Sequence, residues 1–379
     1  MNKYKRLLLS LTAVIAIVSC TKIDPEPPVP KPQPAVDTLS ALELKIAKMF
    51  LVGVPGVGPA LTGDMVQLVE KLQVGGIILF EKWGTEVRNV ESREQVTQLA
   101  ANLRKAAAGY NLIIAIDQEG GNVCRLKTQY GYLPTVTAQY IGAANNDDTT
   151  ALYASRIADM VGGSNITMNC APCVDVNVNP ASPAIGKLGR SFSADPDQVA
   201  KIAGVFYDKQ SARNVISVYK HFPGHGSALS DTHNGFTDVT STWKEYELTP
   251  YKTLIAAGKC DAIMTAHVFN SNLDAQYPAT LSYNIITKML RVDMKYDGLV
   301  MTDDMSMGAI TEKWTTDEAI EIAINAGVDM FTMSRGNYTS FRKLIASIAA
   351  KVKSGKIPES RINESCERIA KVARKGASK

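Results

Sequence analysis

The sequence predicts an α/β fold, a (β/α)8 barrel that spans residues 39–379 as a single domain. Three observations support it: short apolar runs recur eight times, amphipathic stretches separate them, and Asp, Lys or His ends five consecutive runs. Strands that alternate with amphipathic helices are typical of βαβ units and a parallel sheet. A doubly wound open sheet is the alternative, but no GxGxxG motif follows the first run to favour a dinucleotide site.

The predicted strands are apolar runs, and helices fill several of the segments between them. The strands lie at residues 49–54, 76–80, 112–117, 166–176, 215–221, 262–268, 299–304 and 329–334. The helices lie at residues 93–107, 196–210, 285–294, 316–326 and 338–352. In such a barrel the functional side chains lie at the C-terminal ends of the strands. The polar residues at these ends are Asp117, Asp175, Lys220 with His221, His267, and Asp303 with Asp304.

Residues 1–19 have the pattern of a secretory signal peptide. A basic start precedes an apolar core at residues 7–18, which is too short for a permanent membrane span. The core ends at Cys20 in a pattern that resembles a bacterial lipobox, which implies a lipidated Cys20 as the new N-terminus. An ordinary signal peptide with a chance cysteine is the alternative. Residues 20–38 are rich in proline and predict an extended linker that holds the barrel away from a membrane.

The net charge argues against a nucleic-acid-binding protein, and the number of cysteines argues against a disulfide-rich one. Removal of the signal peptide, which carries three basic and no acidic residues, lowers the formal net charge from +4 to +1. Nothing in this balance suggests a nucleic-acid partner, and membrane contact is expected through the lipid. The cysteines beyond Cys20 are odd in number, so burial explains them better than a disulfide framework. Cys170-x-x-Cys173 suggests a redox or metal pair, but it lies in a predicted buried strand without a second ligand pair.

The stretch at residues 215–233 concentrates three of the four histidines. Lys220 and His221 end its apolar run, and a loop of small residues then leads to Asp231-x-His233. Side chains two apart in extended chain share a face, so the carboxylate of Asp231 can reach the imidazole of His233. His225 stands four residues after His221, but the proline and glycines between them exclude a regular helix. We therefore interpret His225 as a residue that holds the loop and expect no metal site.

These residues offer the groups that glycoside cleavage requires. One acid must protonate the leaving oxygen, while one carboxylate attacks or stabilises the anomeric carbon. Histidine is an unusual acid, yet its ordinary pKa near 6.5 poises it around neutrality, and an adjacent Asp favours its protonated form. The candidate groups are Asp117, Asp303 and Asp304, the Lys220–His221 pair, the Asp231–His233 pair, and the arginines Arg125 and Arg190.

Five sequence blocks resemble the family-3 glycoside hydrolases of the β-N-acetylglucosaminidase type. They are KHFPGHG (220–226) followed by Asp231-Thr-His233, DQEGG (117–121) with Arg125, GRSF (189–192), PATLS (278–282) and TDDMSM (302–307). The resemblance extends over nearly all of residues 42–370. Two departures stand out: Asn122 replaces the usual arginine after DQEGG, and the approach to Arg190 is two residues longer than usual, which leaves its direction open.

The resemblance implies a role for each matching residue. Asp303 corresponds to the nucleophile, His233 to the general acid/base on a mobile loop, and Asp231 to the partner of that histidine. The residues that correspond to the sugar-binding set are Asp117, Arg125, Arg190, Lys220 and His221. Asp304 is interpreted as structural, and His267 as either a neighbour of the sugar site or a structural histidine. The family implies a retaining mechanism without a cofactor, with Gly224 and Gly226 as plausible hinges of the loop.

The sequence thus predicts an exo-acting β-N-acetylglucosaminidase, anchored by lipid in the bacterial cell envelope and expected to be monomeric. Its substrate would be terminal GlcNAc on peptidoglycan fragments or other glycans. A β-glucosidase or xylosidase of the same family is an alternative, although those enzymes usually take a Glu acid/base from a second domain. Phosphorolysis is a further alternative, since histidine would not repel phosphate as a Glu would. A non-catalytic glycan-binding lipoprotein is the alternative outside enzymes.

Overall fold

Eight short parallel strands form the wall of a barrel. The computed structural model describes residues 38–377. The strands are β1 (Phe50–Gly53), β2 (Gly76–Leu79), β3 (Ile113–Ile116), β4 (Met168–Asn169), β5 (Ile216–Phe222), β6 (Ala262–Thr265), β7 (Leu299–Thr302) and β8 (Phe331–Met333). From β1 to β7 each strand pairs in parallel with the next one along the chain, and β1 also pairs in parallel with β8. A bridge between Met301 and Met330 joins β7 to the start of β8. This order confirms the barrel and excludes the doubly wound sheet.

Helices surround the barrel, and most of them begin at a residue whose side chain caps the helix. The principal helices are α1 (Ala41–Lys48), α2 (Arg93–Ala106), α3 (Ala138–Ala144), α4 (Asp147–Gly163), α5 (Pro196–Ser211), α6 (Thr249–Ala256), α7 (Thr316–Ala326), α8 (Tyr338–Lys353) and α9 (Glu359–Ala377). Short helices cover Gly63–Val66 and Gly308–Thr311, and π-helical turns cover Gln67–Lys71 and Asn284–Asp293. Ser92 caps α2, and Thr315 forms a capping box with Glu318 at α7. All five predicted helical segments are present.

The fourth strand is much shorter than predicted. The apolar run at residues 166–176 is buried throughout, yet only Met168–Asn169 pairs regularly as a strand. Pro172 lies in the run, has no backbone N–H to donate, and so interrupts the ladder. The chain rejoins the sheet at Cys173, which forms a bridge with Lys220 of β5. Asp175 therefore lies in an irregular segment after the strand and not at its end.

An ion-pair cluster closes the N-terminal end of the barrel. Asp329, fully buried ahead of β8, accepts from the guanidinium of Arg291 at 2.5 Å. Arg361 and Arg368 of α9 each approach its other oxygen at 3.3 Å. The backbone N–H of Val300 donates to the same carboxylate at 3.0 Å. One carboxylate thus joins the last helix to two strands.

Several sequence predictions concern residues that the structure does not describe. The signal peptide, the lipidated Cys20 and all but the last residue of the linker lie outside residues 38–377. Within that range, no helix is both long enough and apolar enough to cross a membrane. The five cysteines there form no disulfide. Cys124, Cys170 and Cys173 are buried, as predicted, whereas Cys260 and Cys366 are only partly buried.

Candidate active site

A buried lysine joins two carboxylates at the C-terminal end of the barrel. Lys220, at the end of β5 and 2% exposed, places its Nζ 2.8 Å from Oδ1 of Asp117 and 2.7 Å from Oε1 of Glu119. Burial alone would lower the pKa of Lys220, but the two carboxylates raise it above its ordinary value. Arg125 lies 3.6 Å from the other oxygen of Asp117. The cluster therefore holds a fixed positive charge and several hydrogen-bonding groups at the barrel mouth.

Arg190 is directed at Glu119 and not at Asp117. Its Nε and Nη2 donate to the two carboxylate oxygens of Glu119 at 2.9 and 2.7 Å, a bidentate pair. Its Nη1 donates to the carbonyl of Ala184 at 3.0 Å, and Nη2 also lies 3.2 Å from Nε2 of His221. The longer approach to Arg190 thus ends in a buried position where its donors already have partners. A direct contact between Arg190 and a sugar stays a prediction.

His221 is fixed by a carboxylate behind it. Its Nδ1 lies 2.7 Å from Oδ2 of the fully buried Asp175. The same carboxylate accepts from the thiol of Cys173 at 3.1 Å and from the backbone N–H of His225 at 2.7 Å. Donor atoms of Cys173, Asp175 and His221 lie within 4.8 Å of one another, the one such group of three among residues 38–377. They are close enough to hold a metal ion, but they already hydrogen-bond to one another.

Asp303 follows β7 and carries a carboxylate with a lowered pKa. Burial alone would raise this pKa, but neighbouring histidines, His221 first and then His267 and His233, lower it to about 2. The side chain is therefore ionised at neutral pH, as a nucleophile must be. The backbone N–H of Asp304 donates to Oδ1 of Asp303 at 2.8 Å, which fixes the rotation of the carboxylate.

Asp304 and His267, beside Asp303, are both held by hydrogen bonds within the protein. Asp304 accepts from the backbone N–H groups of Ser306 and Ser334 at 3.0 and 3.3 Å, as expected for a structural acid. His267 uses both ring nitrogens, one 2.7 Å from the hydroxyl of Thr280 and the other 3.0 Å from the carbonyl of Asp304. It therefore supports the segment after β7 and keeps no ring nitrogen for a sugar.

The loop that follows β5 carries the predicted pair of Asp231 and His233. Nδ1 of His233 lies 2.8 Å from Oδ1 of Asp231, and the same oxygen accepts from the backbone N–H of His233 at 3.0 Å. Burial would raise the pKa of Asp231, but hydrogen bonds from His233 lower it. The His233 side chain is 67% exposed, so the proton-bearing end of its ring is accessible to solvent or substrate. The predicted pair is present.

The base of this loop is more firmly packed than the sequence suggested. His225 holds the loop as predicted, with Nε2 3.2 Å from the hydroxyl of Thr232. Residues 221–228 are all buried. A Cβ added to Gly226 would overlap the carbonyl oxygen of Val176, and one added to Gly224 would contact Glu247. The exposed part of the loop begins at Leu229. The two glycines are thus close-packed positions, and their role as hinges stays a prediction.

The structure groups the predicted site residues into a buried cluster and a loop pair, with Asp303 electrostatically coupled to both. The cluster contains Asp117, Arg125, Arg190, Lys220 and His221, and the loop carries Asp231 and His233. Sequence reasoning missed Glu119, although it belongs to the quoted DQEGG block. Two residues after Asp117, it shares the face of an extended segment, a signal that could have identified it. The role of Asp175 as the partner of His221 was also missed, because their separation in sequence carries no such signal.

An ionised carboxylate close to an exposed Asp–His pair, with a fixed hydrogen-bonding cluster at the same end of a barrel, provides the separate groups that glycoside cleavage requires. The fold and the site thus have the arrangement expected of a barrel enzyme of the glycoside hydrolase class.

Comparison with known proteins gives the family. The model described as the glycosyl hydrolase family 3 N-terminal domain matches residues 41–372, and the chain belongs to this family. A β-hexosaminidase A of Pseudoalteromonas piscicida is 32% identical over 339 residues, covering 82% of this chain and 55% of the relative. A β-hexosaminidase of Tolumonas auensis is 33% identical over 276 residues, covering 72% of this chain and 79% of the relative.

Solved structures resemble the same barrel. A family 3 β-N-acetylglucosaminidase from Paenibacillus sp. str. FPU-7 has a TM-score of 0.82 at 33% identity, covering 89% of this chain and 63% of that one. A β-N-acetylhexosaminidase from Beutenbergia cavernae has a TM-score of 0.79 at 25% identity, covering 89% of this chain and 100% of that one. The share of these four proteins that the chain covers thus ranges from 55% for the Pseudoalteromonas relative to 100% for the Beutenbergia structure.

Proposed function

We propose that the protein is a retaining exo-β-N-acetylglucosaminidase that removes terminal β-linked GlcNAc from peptidoglycan fragments or other glycans. The observation that carries the proposal is the pairing of an ionised Asp303 with the nearby Asp231–His233 dyad. The names of the β-hexosaminidase relatives support the choice of an acetamido sugar. Hydrolysis by this arrangement needs no cofactor.

Asp303 acts as the nucleophile. Its carboxylate attacks the anomeric carbon while the bond to the leaving oxygen breaks, which gives a covalent glycosyl–enzyme. Its low pKa keeps it ionised at neutral pH, and the N–H of Asp304 orients it. Water then attacks the same carbon from the opposite face, so the product retains the β configuration.

His233 transfers the protons. It donates to the leaving oxygen in the first step and accepts from water in the second, while Asp231 orients the imidazole. The His233 ring is exposed in this structure, so a bound sugar can contact it directly.

Asp117, Arg125, Lys220 and His221 bind the hydroxyls of the terminal sugar. Lys220 is held by Asp117 and Glu119, and His221 by Asp175, so neither side chain must be reorganised when the sugar binds. Arg190, also a predicted sugar-binding residue, supports the site through Glu119 and His221.

The test compares kcat/KM for an aryl β-N-acetylglucosaminide and the matching aryl β-glucoside, with residues 39–379 as the enzyme. We expect a large preference for the acetamido sugar and loss of turnover in Asp303→Ala. Asp304→Asn is the matched control for the nucleophile, because the neighbouring carboxylate serves the backbone of Ser306 and Ser334.

Each alternative function predicts a different result in this experiment. An equal or reversed preference would replace the acetamido sugar by glucose, and full activity in Asp303→Ala would remove the nucleophile assignment. Turnover that requires inorganic phosphate and yields a sugar phosphate would establish phosphorolysis. No turnover of either substrate would favour a glycan-binding protein.

We also propose that Cys20 is lipidated and anchors a monomeric enzyme in the cell envelope. Its position after an apolar core of signal-peptide length supports this. The full-length chain should incorporate labelled palmitate and sediment with membranes, whereas Cys20→Ala should not be labelled. Light scattering of residues 39–379 should give the mass of one chain. Labelling of Cys20→Ala, or a dimer mass, would contradict the respective part.

A further inference from the structure

The acid/base loop, defined as residues 229–236, is only partly held by its own contacts. The hydrogen bonds from His233 to Asp231 orient the ring within the loop. They do not fix the loop relative to Asp303, which belongs to the segment after β7. The His233 side chain is 67% exposed, so burial does not fix it either. The buried Thr232 attaches the loop to His225 at its base, so the contact with the segment that carries Asp303 must come from other residues of the loop.

Phe236, at the end of the loop, contacts two other segments of the barrel mouth. Its ring centroid lies 5.2 Å from that of Phe269, which follows β6. The Nζ of Lys313, beyond β7, lies 3.8 Å from the centroid of the Phe236 ring. This distance is within the range of a cation–π interaction. A side chain three residues after His233 thus joins the loop to the segments after β6 and β7.

The backbone reinforces this contact. A Cβ added to Gly308, at the start of the short helix after β7, would lie 3.0 Å from the N of Gly235 and 3.2 Å from the O of His233. Beyond Phe236, Thr237–Asp238 pairs in parallel with Val268–Phe269. The loop therefore lies directly against the helix that follows Asp303, and Phe236 is the side chain that clamps it there.

We infer that Phe236, clamped by Phe269 and Lys313, is a positioning residue that holds His233 at the glycosidic oxygen. The inference depends on the proposed function, since it assigns to Phe236 the placement of the proposed acid/base. Loss of the clamp lets His233 move away while Asp303 and the sugar-binding cluster stay in place. Proton transfer then suffers more than nucleophilic attack.

The chemistry gives this difference a clear signature. As the bond from the anomeric carbon to Asp303 forms, the bond to the aglycone oxygen breaks and His233 supplies the proton. Phenol, with a high pKa, leaves poorly without that proton, whereas 2,4-dinitrophenol leaves readily as an anion. A displaced acid should therefore slow cleavage of the phenyl glycoside far more than that of the dinitrophenyl glycoside.

The experiment measures kcat/KM on phenyl and 2,4-dinitrophenyl β-N-acetylglucosaminide with the full chain. Positioned acid/base groups contribute about 10²–10⁴-fold, so His233→Ala should lose a factor of that order on the phenyl glycoside and little on the other. Phe236→Ala should show the same selectivity with a loss of about tenfold or more on the phenyl glycoside, a fraction of that contribution. Phe236→Tyr, which keeps the aromatic ring, should retain the wild-type kcat/KM on the phenyl glycoside. Lys313→Met should show a smaller loss with the same selectivity.

Tyr283→Ala is the matched control. Tyr283 is 51% exposed, and Nζ of Lys288 lies 6.0 Å from its ring centroid, so it is also an exposed aromatic beside a lysine, outside the proposed site. It should leave both substrates unchanged. Should Phe236→Ala be too unstable to purify, Lys313→Met decides the question.

The outcomes distinguish the inference from the function beneath it. A larger loss on the phenyl than on the dinitrophenyl glycoside in His233→Ala, but not in Phe236→Ala and Lys313→Met, would overturn the inference and leave the proposed function intact. An equal loss on both substrates in these two variants, matched by a lower melting temperature, would show a merely structural role and also overturn it. The absence of selectivity in His233→Ala itself would refute the proposed acid/base, and the inference with it.

Discussion

Glu119 is the residue on which the buried cluster depends. It pairs with Arg190 at 2.7 Å and with Lys220 at 2.7 Å, and its side chain is 5% exposed. Burial alone would raise the pKa of Glu119, but the two cations hold it well below its ordinary range. Removing its charge would leave two buried cations close together, with Asp117 as the remaining partner of Lys220.

We expect Glu119→Gln to lower the free energy of unfolding by about 3 kcal/mol, the order found when one partner of a buried ion pair is removed. Urea denaturation at neutral pH measures this. Asp147→Asn is the control, because Asp147 pairs with Lys201 while its side chain is 80% exposed, and surface pairs contribute about 0–1 kcal/mol. Equal effects of the two changes would contradict the prediction.

Glu247 makes the base of the acid/base loop sensitive to pH. It is 1% exposed beside Gly224, and its Oε2 has no hydrogen-bond partner among the described residues. Burial raises its pKa from 4.5 to about 7. Because the folded protein holds this proton more tightly than the unfolded chain, the contribution to stability is complete below pH 4.5 and is lost as pH rises through 7.

Glu247→Gln should therefore remove part of the loss of stability between pH 5 and 8. The measurement is the difference in unfolding free energy between the variant and the wild type at several pH values. This difference should increasingly favour the variant as pH rises. Glu245→Gln, with a side chain 81% exposed, should show no such trend. A constant difference for Glu247→Gln would show that the group does not titrate in this range.

Residue-level prediction succeeded where the signal was local in sequence. Asp231 and His233 stand two apart, and their hydrogen bond follows from alternation along extended chain. The partnership of Asp175 with His221 joins distant segments, so no spacing rule reveals it. The direction of Arg190 depended on how an unusual loop folds, which propensity does not determine. The roles of these residues in catalysis stay predictions.

At the scale of elements, the sequence predicted every barrel strand but not every length. Apolar runs mark the strands because both faces of a parallel barrel are buried. The apolar run at residues 166–176 overestimated the length of β4. Pro172 lacks a backbone N–H to pair with the neighbouring strand, while the irregular chain beyond it stays buried. Hydrophobicity reports burial, and pairing requires backbone donors as well.

Helix α9 is tied to the barrel by Asp329, and the tie can be tested apart from the active site. Asp329→Asn should lower the unfolding free energy by about 3 kcal/mol, since Arg291, Arg361 and Arg368 lose a buried counter-charge. The kcat/KM of the folded fraction should not change, because the residue lies at the N-terminal end of the barrel. Asp297→Asn, which removes an 80% exposed partner of Arg368, is the control. A change in kcat/KM with unchanged stability would contradict this.

At the scale of the whole molecule, residues from Leu39 onward form one compact unit. Ser40 caps α1, and Ile46 and Ala47 of that helix are fully buried. Residues 39–379 should therefore match the full-length chain in melting temperature and in kcat/KM on a soluble substrate. A chain that begins at residue 49 lacks α1 and should melt markedly lower. If removal of residues 1–38 also lowered the melting temperature, the boundary would be misplaced.

The Asp231–His233 pair has a consequence for inheritance. The groups proposed to bind the sugar and to attack its anomeric carbon come from distant parts of the sequence, whereas both members of the proposed proton-transfer pair lie within three codons. A single recombination or short deletion in this stretch could replace or erase the acid while the rest of the pocket is inherited unchanged. A change confined to this loop can therefore alter the proposed acid without altering the proposed nucleophile or the sugar-binding cluster.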